Sequence, residues 1–155
     1  MPYSGTFSSG TVVTLEADAA TGSIFTSWSG DLSGSTNPTS IRMTSDRSVT
    51  VNFTQQYTLD IAKGGSGSGT VKVNDVSESL PYSGTFSSGT VVKLEADAAT
   101  GSIFTSWSGD LSGSTNPTSI SMTSDRSVTG NFTQQYTLDI AKGGSGSGTV
   151  KLNDV

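Results

Sequence analysis

Hydrophobic and polar residues alternate in short bursts along this chain, and each burst has the length of a strand. In Thr11–Ala19, Val13, Leu15 and Ala17 alternate with Thr14, Glu16 and Asp18, the period-two pattern of a strand with one polar face. Ile41 and Met43 flank Arg42, and Val49, Val51 and Phe53 share one face of Arg47–Thr54. Tyr57, Leu59 and Ile61 then alternate before a GGSGSG run (Gly64–Gly69), with Val71 and Val73 on the return. This last pair predicts a hairpin with a flexible connection. Phe25 and Trp28 lie three apart, so burying both requires a bulge or a strand end between them. Residues 3–10 (YSGTFSSG) and 30–38 (GDLSGSTNP) read as turn and loop by composition. No segment carries a helical apolar stripe. The expectation is an all-β fold of about six short strands per unit, mostly antiparallel because the connections are too short for crossovers.

The pattern occurs twice. Shifting the chain by 79 positions places residues 2–76 on 81–155, and the only differences are Thr14/Lys93, Arg42/Ser121, Val51/Gly130 and Val73/Leu152. Repetition at a fixed period is the mark of an array whose units stack to bury a shared core. One phasing takes 2–76 and 81–155 as whole units joined by residues 77–80. Thr14/Lys93 falls on a polar face and is harmless, whereas Gly130 in place of Val51 is expected to leave a hole or weaken its strand.

Composition narrows the function classes. The chain has 155 residues, net charge −5, and no cysteine or histidine, which removes disulfides, thiolate chemistry, the usual proton shuttle and the commonest transition-metal ligand. Its eight basic residues are scattered, so no stripe tracks phosphates and no nucleic-acid partner is expected. No apolar run approaches the roughly 18 residues of a membrane-spanning helix, and the amino terminus lacks a signal peptide's features. The chain reads as a soluble piece of something longer, with no membrane insertion and no cofactor. Its Ser, Thr and Gly richness fits a bacterial-type surface protein.

The order Tyr57-Thr-Leu, Gly67-Ser-Gly-Thr-Val71, Gly89-Thr-Val-Val-Lys-Leu-Glu-Ala96, Phe104-Thr-Ser-Trp107-Ser-Gly-Asp110, Asn116-Pro117, Ile120-Ser-Met122 and Ser127-Val-Thr-Gly-Asn-Phe132 resembles the divergent InlB B-repeat family. These are bacterial surface repeats related to the Listeria-Bacteroides repeat. The resemblance implies an extracellular, tandemly arrayed β module, not an enzyme, with no catalytic residues to carry over. It also implies a second phasing, in which 55–133 is the one complete unit and 2–54 plus 134–155 are parts of a split unit. On that phasing residues 136–152 complete a sheet with residues 2–54, by folding back or in a neighbouring molecule. The expected partners are neighbouring repeats and a homo-oligomer formed by strand exchange.

Candidate sites have bland readings beside sharp ones. Trp28 and Trp107 are either an exposed platform for a sugar or partner or, as preferred here, core anchors packed with Phe25 and Phe104. Asp31, Ser33, Ser35 and Asn37, with Asp110, Ser112, Ser114 and Asn116, place oxygens at alternate positions as a calcium loop does. One carboxylate per loop and no closing Glu make Asx-type turns the preferred reading. Glu16, Asp18, Glu95 and Asp97 resemble acid–base pairs, but without a partner nucleophile they read as surface charges. Lys63 or Lys72 with Asn52 or Asn74 is a weak isopeptide candidate. Asn52-Phe-Thr54 and Asn131-Phe-Thr133 match the glycosylation sequon inside strands, and are discounted. The expected role is a non-catalytic spacer or stalk of a surface protein; the alternatives are an adhesin for glycan or protein and a self-assembling unit.

Overall fold

The computed structural model describes residues 3–152; Pro2 and residues 153–155, which belong to the repeat alignment, lie outside the described residues. The strands are β1 (Val12–Leu15), β2 (Ser23–Gly30), β3 (Thr39–Arg42), β4 (Val49–Gly64), β5 (Gly69–Val73), β6 (Val76–Glu78), β7 (Tyr82–Ser87), β8 (Val91–Ala98), β9 (Ser102–Gly109), β10 (Thr118–Ser121) and β11 (Arg126–Gln134). The fold is all-β, and no helix among the described residues is long and apolar enough to cross a membrane.

Two sheets form a sandwich in the second half of the chain. One has the order β10-β8-β5-β6; in the other, β7, β4, β11 and β9 lie side by side, and β2 pairs with the first half of β4. Period-two alternation builds the core between them. Val92, Leu94 and Ala96 of β8 and Val71 and Val73 of β5 face Leu59 and Ile61 of β4, with Trp107, Val128 and Phe132 from the same sheet as β4. Each fully buried Val or Leu here contributes about 1.5–3 kcal/mol of transfer free energy.

Of the bulge or strand end expected near the tryptophans, a bulge is present in both copies. The β2–β4 register shifts between Phe25 and Ser27, and the β11–β9 register shifts between Asn131 and Phe132. That shift lets the aromatic pair meet, with ring centroids 5.2 Å apart for Phe25–Trp28 and 5.0 Å for Phe104–Trp107.

Several expectations are corrected. Strands β4 and β5 are not a hairpin: they lie in different sheets, and the glycine run carries the chain from one to the other. Nor is that run a loose tether, because Gly67 N–H donates to Phe132 O at 2.9 Å and a Cβ on Gly67 would fall 2.7 Å from the Thr133 backbone. The true tight hairpin joins β5 to β6 through Asn74 and Asp75, both at positive φ (50° and 68°), the geometry of a type I′ turn. YSGTFS, read as turn, is strand β7 in the second copy, antiparallel to β4. Among the described residues one pairing is parallel, β11 with β4, from Arg126↔Leu59 to Asn131↔Gly64; the intervening sheet switch supplies the crossover. Gly130 leaves no hole: a Cβ there would sit 3.3 Å from Trp107 Cζ3 and 3.8 Å from Val71 Cγ2.

The first copy is built differently from nearly the same residues. Residues 3–10 carry no strand, β1 spans 4 residues where its counterpart β8 spans 8, and among the described residues β1 pairs only with β3. Residues 135–152, which repeat Gln56–Val73 except at the last position, form no strand, and Leu138, Ile140, Val150 and Leu152 are exposed.

Candidate functional site

The distinctive surface of the molecule is the inner face of the first copy. In the second copy this face is covered by β5 and the second half of β4. In the first it opens as a groove of about 870 Å³, lined among others by Val13, Leu15, Ala17, Trp28, Ile41, Val49 and Val51. Its floor repeats the sandwich core residue for residue: Val13, Leu15 and Ala17 stand where Val92, Leu94 and Ala96 are buried. Two strand edges border it. In the first half of β4, Ser48 O accepts from Asp31 N–H and Gln56 N–H donates to Gly22 O, so even-numbered residues address β2. Their odd-numbered neighbours therefore point to the other edge, which has no strand partner from Val49 to Phe53 among the described residues. The second border is β1, whose pairing is with β3.

Trp28 and Trp107 are 7% and 2% exposed, and each indole N–H donates to a loop carbonyl, Thr36 O at 3.0 Å and Thr115 O at 3.1 Å. Phe25 and Phe104 are half-buried beside them. The polar side chains of the GDLSGSTNP loops act over long range, unlike local Asx turns. Asn37 clamps the Ala17 backbone, accepting from its N–H and donating to its carbonyl at 2.8 Å each, and Asn116 does the same with Ala96. Asp31 accepts from Ser48 N–H at 2.7 Å and Asp110 from Ser127 N–H at 2.7 Å. The Ser48 N–H above all holds the Asp31 carboxyl below the usual carboxylate range; desolvation opposes it, and Arg47 adds to the lowering. Of the oxygens that resembled calcium ligands, those of Asp31, Asn37, Asp110 and Asn116 are thus engaged in fastening the loop to neighbouring strands. No cluster of three or more metal-ligating side chains occurs among the described residues.

The acidic pairs separate by copy. Glu95 and Asp97 both bind Lys72 of β5 at 2.9 Å, and these hydrogen bonds, Glu95 first, raise the Lys72 pKa. Glu16 and Asp18 are exposed on β1's side of the groove. Lys63 Nζ donates to Gly67 O at 2.7 Å, Lys72 binds Glu95 and Asp97, and Asn74 Oδ1 accepts from Lys93 N–H, so these members of the candidate isopeptide pairs engage other groups. Asn52 and Asn131 spend their amide groups on Ser27 and Ser29, and on Ser106 and Ser108. The Lys72 cluster and strand β7 were not anticipated. Tyr82, Gly84 and Phe86 alternate with Ser83, Thr85 and Ser87, and that period was the available signal for β7.

Comparison with known proteins gives one result. No curated protein and no solved structure matches the chain. The model of the Divergent InlB B-repeat domain matches residues 2–56 and again residues 57–135, and the second match encloses every strand that pairs around the sandwich core apart from the first half of β4 and its partner β2. With the matched segments spanning nearly the whole sequence and the fold all-β throughout, the chain belongs to the divergent InlB B-repeat domain family, whose members are non-catalytic structural and adhesion repeats of bacterial surface proteins.

Proposed function

We propose that the chain is a spacer segment of a bacterial extracellular or cell-surface protein, holding other parts away from the cell. The observation that carries this reading is β4. It is a single 16-residue strand whose first half pairs with β2 of the first copy and whose second half pairs with β7 and β11 of the second. The joint between units is therefore hydrogen-bonded strand rather than a free linker, and stability passes between nearest neighbours as in other repeat arrays. On this reading the unit runs from about 55 to 133, residues 2–54 and 134–155 are parts of a split unit, and chains associate by strand exchange. Phe25, Trp28, Phe104 and Trp107 act as folding anchors.

Small-angle scattering on chains of two, four and six repeats tests the spacer role. The maximum dimension should grow linearly with repeat number. Growth with the square root of repeat number, the behaviour of flexible beads, would overturn it. Selective glycan or cell binding lost on scrambling Gly30–Pro38 would support an adhesin instead.

A further inference from the structure

Resting on the strand-exchange reading, we infer that the groove of the first copy is a receptor slot for residues 135–152 of a second copy of this chain, inserted head to tail so that association continues without closing. The occupant is identified by the molecule's own second half. Residues 56–72 are identical to 135–151, and there they sit on the very face that lines the groove.

The repeat sets the register. Val128↔Ile61 and Arg126↔Leu59 in the parallel β11–β4 pairing become Val49↔Ile140 and Arg47↔Leu138 of the incoming chain, on the edge to which Val49 and Val51 already point. Val71↔Ala96 and Lys72↔Glu95 become Val150↔Ala17 and Lys151↔Glu16. Charge agrees with shape, because Lys72 binds both Glu95 and Asp97, and the slot offers Glu16 and Asp18 to Lys151. Tyr57↔Phe86 becomes Tyr136↔Phe7, which turns residues 3–8 into a strand on the far side of the insert. Main-chain hydrogen bonding to a strand edge supplies affinity, and alternate side chains in the groove supply specificity.

The chain cannot fill its own slot. Asn131 lies beside Gly64, and β4 runs 16 residues back to Val49, about 50 Å at strand rise. The segment from Asn131 to Ile140 reaches about 30 Å when fully extended, and its first residues run parallel to β4, away from Val49. A donor molecule needs no such reversal, since its β11 simply continues into residues 135–143, as the first half of β4 continues into the second. Because donor and acceptor surfaces differ, the contact is heterologous, the kind that propagates as an open chain of molecules unless the rotation between them closes a ring.

The test uses the full chain. Sedimentation should show a weight-average mass that rises with concentration without a plateau. A synthetic peptide of residues 135–152 should reverse that rise. Leu138→Asp with Ile140→Asp alters side chains already exposed in the monomer, and should abolish every species above monomer while leaving thermal unfolding of the second copy unchanged. A Val49→Cys chain mixed with an Ile140→Cys chain should form the mixed disulfide several-fold faster than Val49→Cys with Asp139→Cys, whose side chain faces the other side of the sheet. A plateau at dimer with the Val49–Ile140 adduct would overturn open-ended growth and leave strand exchange standing. A monomer at all concentrations, without adducts, would overturn both; so would growth that persists in the Leu138→Asp, Ile140→Asp chain.

Discussion

Trp107 makes contacts on three sides in the second copy: its ring packs on Phe104, its edge lies over Gly130, and its indole N–H donates to the loop carbonyl of Thr115. Trp107→Ala should therefore cost about 3–5 kcal/mol, the range for removing a large buried aromatic, measured by urea unfolding. Gly130→Val, which only restores the residue of the other copy, should destabilise by about 1–3 kcal/mol through overpacking against that ring. A neutral or stabilising result would show that the ring gives way. Asn116→Ala removes both bonds to the Ala96 backbone and should cost about 1–3 kcal/mol, since at least one backbone group is left without a partner. These residue roles were only partly legible in the sequence. The Phe–Trp spacing calls for a bulge or a strand end, and a bulge is there, but the backbone that Asn116 clamps lies 20 residues away, and no local pattern points to it.

Strands that share a sequence behave differently according to what lies beside them. Val91–Ala98 is a continuous strand between β10 and β5, whereas the matching stretch of the first copy is regular only over Val12–Leu15, where β3 pairs with it. β-propensity expresses side-chain packing and cross-strand neighbours more than intrinsic backbone preference, so the alternation in Val13–Ala19 marks a face without fixing a length. Hydrogen exchange should accordingly show amides of Glu95–Ala98 protected well beyond those of Glu16–Ala19 at low concentration, with peptides distinguished by Thr14 and Lys93. Filling the slot should raise protection in the first copy. Acid acts at the loop–strand joint. The folded-state pKa of Asp31 is lowered, so its contribution is present above the unfolded value near 3.8 and is lost as pH falls through the lower folded value. Asp31→Asn should flatten the acid limb of the stability curve. Lys72 has the opposite sign: its pKa is raised, so its contribution is full below the unfolded value and lost only in strong alkali.

For the whole molecule, filling of the slot by a second copy, as inferred above, would couple stability to assembly by mass action. Anything that binds the folded first copy stabilises it in proportion to the logarithm of its concentration, so the melting of residues 3–54 should shift upward with protein concentration while that of the second copy stays fixed. Two separate transitions at low concentration that converge at high concentration would be the calorimetric signature. A pair of transitions insensitive to concentration would count against the slot.

The two copies act as an internal control on how much a sequence can say. The 79-residue period, the strand faces, the bulge and the family were readable from residues alone, because alternation and repetition are local or self-referential properties. Which copy closes into a sandwich was not readable, since the same YSGTFS is strand β7 beside β4 and carries no strand at residues 3–8, and the same glycine run is wedged against Phe132 and Thr133 in one place and meets nothing in the other. A strand exists only when a neighbour satisfies its backbone. That neighbour is supplied by tertiary structure, within the second copy through β4 and, by our inference, for the first copy through another molecule.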